Sequence, residues 1–352
     1  MAALMADPNL GDEGAPDVLR RSDGTALLYS GGANLVCGAP GCGKTWVALQ
    51  AVVEIAEAAL PVWMLDYEST PTVTAGRLAA LGLLADDAGH IHYHNVAGPM
   101  TAADRHRLVT GIDEQCPALI VIDSVVEALG ADGFDENSAS DVARWFADLV
   151  RPLARSGAAV LLLDHVAKDK EGRGTWARGS GHKLAAIDGA AYGLEVEAPW
   201  HRGSSGSGTL TILKDRAGHV GGRGAIAAGV KVHVGDGGAQ VRIILEPPAG
   251  DPTAPVQATR PAILAPDAVA ERLAHSGGTW PSLADAIAAL KLSKAATRAA
   301  IDRALAARAI VEVREGSRTT YRLPESDQLD LDLQELLAER HGTGDGDGEP
   351  ME

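Results

Sequence analysis

From Asn34 onward, short apolar runs alternate with stretches whose apolar residues recur every three to four positions. The runs are "NLVC", "VWMLD" at 62–66, "IHYHN" at 91–95, "ALIVID" at 118–123 and "AVLLLD" at 159–164. Between them the spacing predicts helices near 43–59, 71–81, 102–115 and 138–155. Strands that are apolar on both faces and alternate with helices predict a mostly parallel sheet covered on both sides, an α/β core. After Asp188 the pattern changes to strands and tight turns, "GAAYGLEVE", "GTLTILKD", "GAIAAGVKVHVG" and "AQVRIIL", which predict antiparallel strands extending the same sheet.

These patterns divide the chain. Residues 1–30, rich in Asp, Gly and Pro, read as an irregular lead-in, and 31–246 as the α/β core. Six prolines between 247 and 266 mark 247–266 as a semi-rigid linker. Residues 267–324 hold helical patterns near 267–275, 281–290 and 293–309, then "AIVEVREGSRTTYRL", two short strands around a Gly-Ser turn. Three helices followed by a basic hairpin is the pattern of a small winged helix-turn-helix domain, here with Ile301, Leu305 and Ile310 inward and Lys294, Arg298 and Arg303 at least partly outward. For the acidic tail, 325–352, disorder is the default.

Charge changes the picture of partners. The 352-residue chain has a net charge of −16, but Glu325–Glu352 carries ten acids against one base, while Arg260–Pro324 carries ten bases against six acids. A basic module between an acidic body and an acidic tail keeps nucleic acid among the expected partners. Three cysteines, with no CxxC pair, fit a reducing compartment. The absence of a basic start or of a long apolar stretch predicts a soluble cytoplasmic protein without a membrane partner.

The chemistry concentrates where the first strand meets the first long helix. "GAPGCGKT", that is Gly38, Ala39, Pro40, Gly41, Cys42, Gly43, Lys44 and Thr45, fits G-x-x-x-x-G-K-[ST] in the strand-to-helix context that motif requires. Glycines let backbone N–H groups turn inward around phosphate oxygens, and the new helix aims its positive end at them. Lys44 reaches the β- and γ-phosphates and Thr45 ligates Mg²⁺, so ATP with Mg²⁺ is the expected ligand. Cys42 reads as a small filler. Hydrolysis also needs a metal-orienting acid and a group that positions water. "ALIVIDS" delivers Asp123 to the carboxyl end of a buried strand, next to where the P-loop should lie. "VWMLDYEST" offers Asp66, deeper, and Glu68, nearer the opening, with Glu68 expected to polarise water. His90, His92 and His94 share one strand face, but without further Cys or His beside them they read as solvated imidazoles on an edge strand.

The order of P-loop, "LDYE", "VIDS", "LLLDH" and "KDRAG" resembles the RecA-like ATPases, in particular the branch of hexameric plasmid RepA helicases and DnaB-type replicative helicases, over roughly residues 25–235. The resemblance implies that Glu68 is catalytic and that His165 in "LLLDHVAKD" senses the γ-phosphate. "RGSGHKLAAIDGAAYGLEVE" is similar to the family's segment after a channel-facing loop, here 166–178, so Lys168, Lys170, Arg173 and Arg178 are expected to touch single-stranded DNA. "TLTILKDRAGHVGG" resembles the family's K-x-R-x-G hairpin, by which Lys214 and Arg216 reach into the neighbour's ATP site. On this reading the chain is a homo-oligomer, a hexameric ATP-dependent DNA motor of the RepA replicative-helicase type. The alternatives are a RecA-like recombination mediator or loader and an ATP-switched winged-helix DNA-binding regulator. In the C-terminal module Lys294, Arg298 and Arg318 would contact DNA phosphates, and the acidic tail would dock a replication-protein partner.

Overall fold

A buried strand sends consecutive side chains to opposite faces, so a run such as Leu119–Asp123, buried at every position, needs a cover on both sides. The computed structural model describes residues 14–165, 180–235, 239–248, 266–290, 294–315 and 318–324. The main strands are β3 (Ala33–Gly38), β4 (Val62–Asp66), β5 (Ile91–Asn95), β6 (Leu119–Asp123), β7 (Ala159–His165), β8 (Ala190–Ala198), β9 (Gly206–Asp215), β10 (Ile226–Val234) and β11 (Val241–Glu246). They form one nine-stranded sheet in the order β11-β10-β9-β8-β3-β7-β6-β4-β5. Pairing is parallel from β8 through to β5 and antiparallel from β8 out to β11. This is the α/β architecture of a RecA-like P-loop NTPase core, with the antiparallel extension the sequence predicts.

Alternation along the strands builds two cores. Val36, Met64, Val121 and Leu161 point to the side covered by α1 (Lys44–Glu57), while Leu35, Leu65, Ile122 and Leu162 point to the other. That second side is covered by α3 (Ala102–Gln115), α4 (Val125–Ala131), and a continuous helical stretch of α5 (Ala139–Trp145), a π turn (Phe146–Val150) and α6 (Arg151–Arg155). The helix α2 (Pro71–Ala80) starts on Thr70, whose hydroxyl accepts from the Val73 amide, with Pro71 in the first turn. Register brings Gly38 level with His165, Asp123 with Leu163, and Asp66 with Asp123. The polar ends of four strands therefore meet at one edge of the sheet.

The lead-in departs from the irregular reading. Val18–Arg20 (β1) pairs with Ala26–Leu28 (β2) as an antiparallel hairpin, and Leu19, Leu27 and Leu28 are fully buried. These leucines close over α1, whose apolar residues lie on more than one face and so need a second cover. Asn34 ties the lead-in to the sheet: its Nδ2 donates to Tyr29 O (3.0 Å) and Gly32 O (3.1 Å), and its Oδ1 accepts from the Tyr29 and Ala190 amides (3.0 and 3.1 Å).

Toward the C-terminus, α7 (Ser180–Ala186) precedes β8. Beyond β11 lie α8 (Pro266–His275), β12 (Thr279–Trp280), α9 (Leu283–Leu290), α10 (Lys294–Ala306), β13 (Val311–Glu315) and β14 (Arg318–Arg322). Their strands pair in the order β12-β14-β13 over a small core that includes Trp280, Ile301, Ile310 and Tyr321. Arg303, expected to face at least partly outward, is instead buried. It lies on the flank of α10 covered by the main body, and burial draws its guanidinium down to about 10 against the favourable charges of Asp17 and Asp302. Among the described residues no helix is long and apolar enough to cross a membrane.

Gly32 O keeps the Val160 amide, so Asn34→Ala strands the Tyr29 N–H and C=O and the Ala190 N–H; it should lower the unfolding free energy in urea by about 3 kcal/mol, each orphaned group costing about 1–3. A loss below about 1 kcal/mol would mean that water replaces the amide.

Candidate nucleotide-binding site

The loop between β3 and α1 turns on two glycines. Gly41 and Gly43 have φ of +72° and +94°, and a Cβ at Gly43 would lie 2.1 Å from Trp200 Cζ2. Gly38 is closed in as well, since a Cβ there would meet Cys42 Sγ and Leu194 O at 2.7 Å each. Cys42 is buried and burial pushes its thiol up, which fits a filler. The Lys44 ammonium donates to Gly38 O and Ala39 O, both at 3.1 Å, and so bridges the loop to itself.

Lys44 also lies 3.2 Å from His165 Nδ1, and His165 Nε2 lies 2.8 Å from Glu68 Oε1. An ammonium has only hydrogens to offer, so Nδ1 accepts and Nε2 carries the proton donated to Glu68. Burial alone would raise the Glu68 carboxyl, but Ser124, His165 and the charge of Lys44 hold it below its ordinary value. Asp66 takes a different part. Its Oδ1 accepts from the Glu68 and Ser69 amides (3.0 and 2.7 Å), and its Oδ2 accepts from Thr74 Oγ1 (3.1 Å) and Tyr93 Oη (2.8 Å). With all that capacity used, Asp66 shapes the turn and leaves Glu68 at the opening.

Asp123 is separated from the P-loop strand by β7 rather than lying beside it. It still meets the loop, because Thr45 Oγ1 donates to Asp123 Oδ2 at 2.9 Å across the strand ends. Burial, with the charges of Glu68 and Asp66, pushes Asp123 up to about 6 despite the Thr45 hydrogen bond. One hydroxyl and one carboxylate suit Mg²⁺, which keeps several waters and binds through one or two carboxylates plus phosphate. No cluster of three His, Cys, Asp or Glu groups able to cage a metal occurs among the described residues.

These groups line a cleft of about 650 Å³. The lining also contains residues the sequence did not single out: Trp46 with Arg77 over its ring at 5.9 Å, Trp200, and Arg202. Trp200 and Arg202 come from the β8–β9 turn, and a lone Trp in the otherwise polar, small-residue "EAPWHRGSSGSG" was the available signal.

Other expected residues fall elsewhere. Within this chain the Lys214 ammonium donates to Leu184 O (3.1 Å), Ala185 O (3.0 Å) and Ile187 O, and so caps the C-terminal end of α7. Arg216 is exposed on the turn after β9. Lys168, Lys170, Arg173 and Arg178 lie outside the described residues, as does the tail. Lys294 and Arg318 are the first residues of α10 and β14. Arg298 is exposed and lies 3.6 Å from Asp302, and Arg314 lies 3.1 Å from Glu312. His92 and His94 stack on Trp63 at the edge strand β5, with ring centroids 5.4 and 4.8 Å away.

If Asp123 ligates Mg²⁺, a proton on it would compete with the ion for the same oxygen. Mg-dependent ATP affinity, titrated calorimetrically, should therefore weaken as pH falls through about 6. In Asp123→Asn it should be weak and flat over the same range. A wild-type affinity unchanged between pH 7.5 and 5.5 would remove Asp123 from the metal site.

Residues 13–171 match the family model described as an AAA domain, which together with the cleft supports an ATPase of the P-loop type. Comparison with curated proteins finds no match.

Proposed function

We propose that this P-loop ATPase is a DNA motor, a hexameric helicase of the RepA type that hydrolyses MgATP at subunit interfaces. The observation that carries the ATPase reading is the contact chain Lys44–His165–Glu68 beside the Thr45–Asp123 pair. Lys44 exchanges loop carbonyls for β- and γ-phosphate oxygens, and Thr45 with Asp123 would hold Mg²⁺, which when bound would supply positive charge against the developing phosphate charge. Glu68, ionised at neutral pH and only half-buried, accepts the proton of the attacking water. His165 touches both groups and registers whether a γ-phosphate is present. The nucleoside lies toward the Trp46 and Trp200 wall.

Assembly supplies the remaining charge. Arg216, exposed beyond β9, completes a neighbour's cleft, while Lys214 braces the base of that hairpin in its own chain. The helix-strand-helix-helix-strand-strand order of 266–322 supports the winged-helix reading. Arg298 and Arg314 are each balanced by an acid there, so single-stranded DNA contact is assigned to the core segment 166–178 and this module is assigned an auxiliary role.

ATP turnover measured with and without single-stranded DNA, alongside light scattering, tests the motor. Stimulated turnover by a particle of about six subunits is expected from this reading, and DNA-indifferent turnover by a monomer or dimer would refute it. Glu68→Gln should bind MgATP yet lose about 100-fold or more in turnover. Mixing Arg216→Ala with Glu68→Gln should recover part of the activity through intact composite sites; no recovery, with both variants assembling, would refute the trans role.

A further inference from the structure

Behind the sensor histidine lies a second ionic cluster that the phosphate chemistry does not use. Lys183, in α7, is 3% exposed, and its ammonium donates to Asp164 Oδ1 at 3.1 Å and to Glu136 Oε2 at 2.7 Å. Asp164, equally buried, is the residue before His165 in β7, and the same Oδ1 accepts from the His165 amide at 2.9 Å. The carboxylate therefore links an ammonium fixed in α7 to the peptide that carries the imidazole.

Stability is a poor reason for this arrangement. Stripping water from an ammonium and a carboxylate costs about what their attraction returns, and apolar residues of similar volume often serve a core as well or better. What an ion pair provides and an apolar contact does not is direction. The α7 end of the link is rigid: Ile187, just past the helix, is fully buried, and Lys214 binds carbonyls at the helix's C-terminal end. Glu136 ties the same ammonium to the loop before α5, so Lys183 is held from two sides.

We propose that Lys183 is a positioning residue for hydrolysis: by holding Asp164 it sets the direction of the His165 peptide, and so aims the imidazole that joins Lys44 to Glu68. This rests on the ATPase reading given above. It makes α7 a strut between the β9 hairpin, which carries Arg216, and the γ-phosphate sensor.

Lys183→Met preserves the stem and removes the charge. It should leave MgATP affinity within about threefold of wild type and lower kcat about tenfold or more, the cost of a misaimed group. On a His165→Ala background, in single-turnover measurements, the same change should alter the rate less than about twofold, because its effect passes through His165. Equal losses in binding and turnover, or a further full tenfold loss without His165, would overturn the proposal. Should Lys183→Met melt early, the pair-neutral Asp164→Asn/Lys183→Met chain removes both charges and should show the same kcat loss; a wild-type kcat there overturns it too. A wild-type chain that neither binds nor hydrolyses MgATP would bring down the ATPase reading and this proposal together. An active wild type with an unaffected Lys183→Met would overturn this proposal alone.

Discussion

Covering a sheet with apolar packing on both faces leaves charge few places to go, and in this protein it goes to the carboxyl ends of the strands. Gly38, Asp66, Asp123 and His165 all stand at that edge because the parallel register of β3, β4, β6 and β7 puts them there. The start of α1 opens at the same edge, so its unpaired amides and positive end face the same cleft as Lys44. Open α/β sheets place their ligands in this crevice for the same reason.

Desolvation then distributes the roles. Asp66 and Glu68 are two residues apart and chemically alike, yet Asp66 is enclosed by four donors while the Glu68 side chain stays about a third exposed at the opening. The first is consumed by structure and the second remains available for a proton. Asp123, buried near two other carboxylates, is driven the opposite way from Glu68 and is the group whose charge a divalent cation would favour. His165 stands between cation and carboxylate and is defined by both.

The same economy governs the lysines. Lys44 rests on the carbonyls of its own loop, Lys183 on Asp164 and Glu136, and Lys214 on the end of α7. Each of these three ammonium groups finds a specific acceptor, since an unmatched one would bear the cost of lost hydration. Of the K-x-R pair in the β9 hairpin, this leaves Arg216 as the exposed cation.

Much of this was legible in the chain itself. Strands β4 and β5 and helix α3 fall where hydrophobic periodicity puts them, because a period of 2 or 3.6 is a property of neighbouring residues. The P-loop motif is likewise local, fixed by glycine positions. The tertiary structure alone decided what depends on residues far apart in sequence. The insertion of β7 between β3 and β6, the closure of the lead-in hairpin over α1, the inward turn of Lys214 and Arg303, and the approach of Trp200 to Gly43 are of that kind. Whether a long cationic or aromatic side chain meets water or a distant carbonyl is settled by packing, and no spacing along the chain records it.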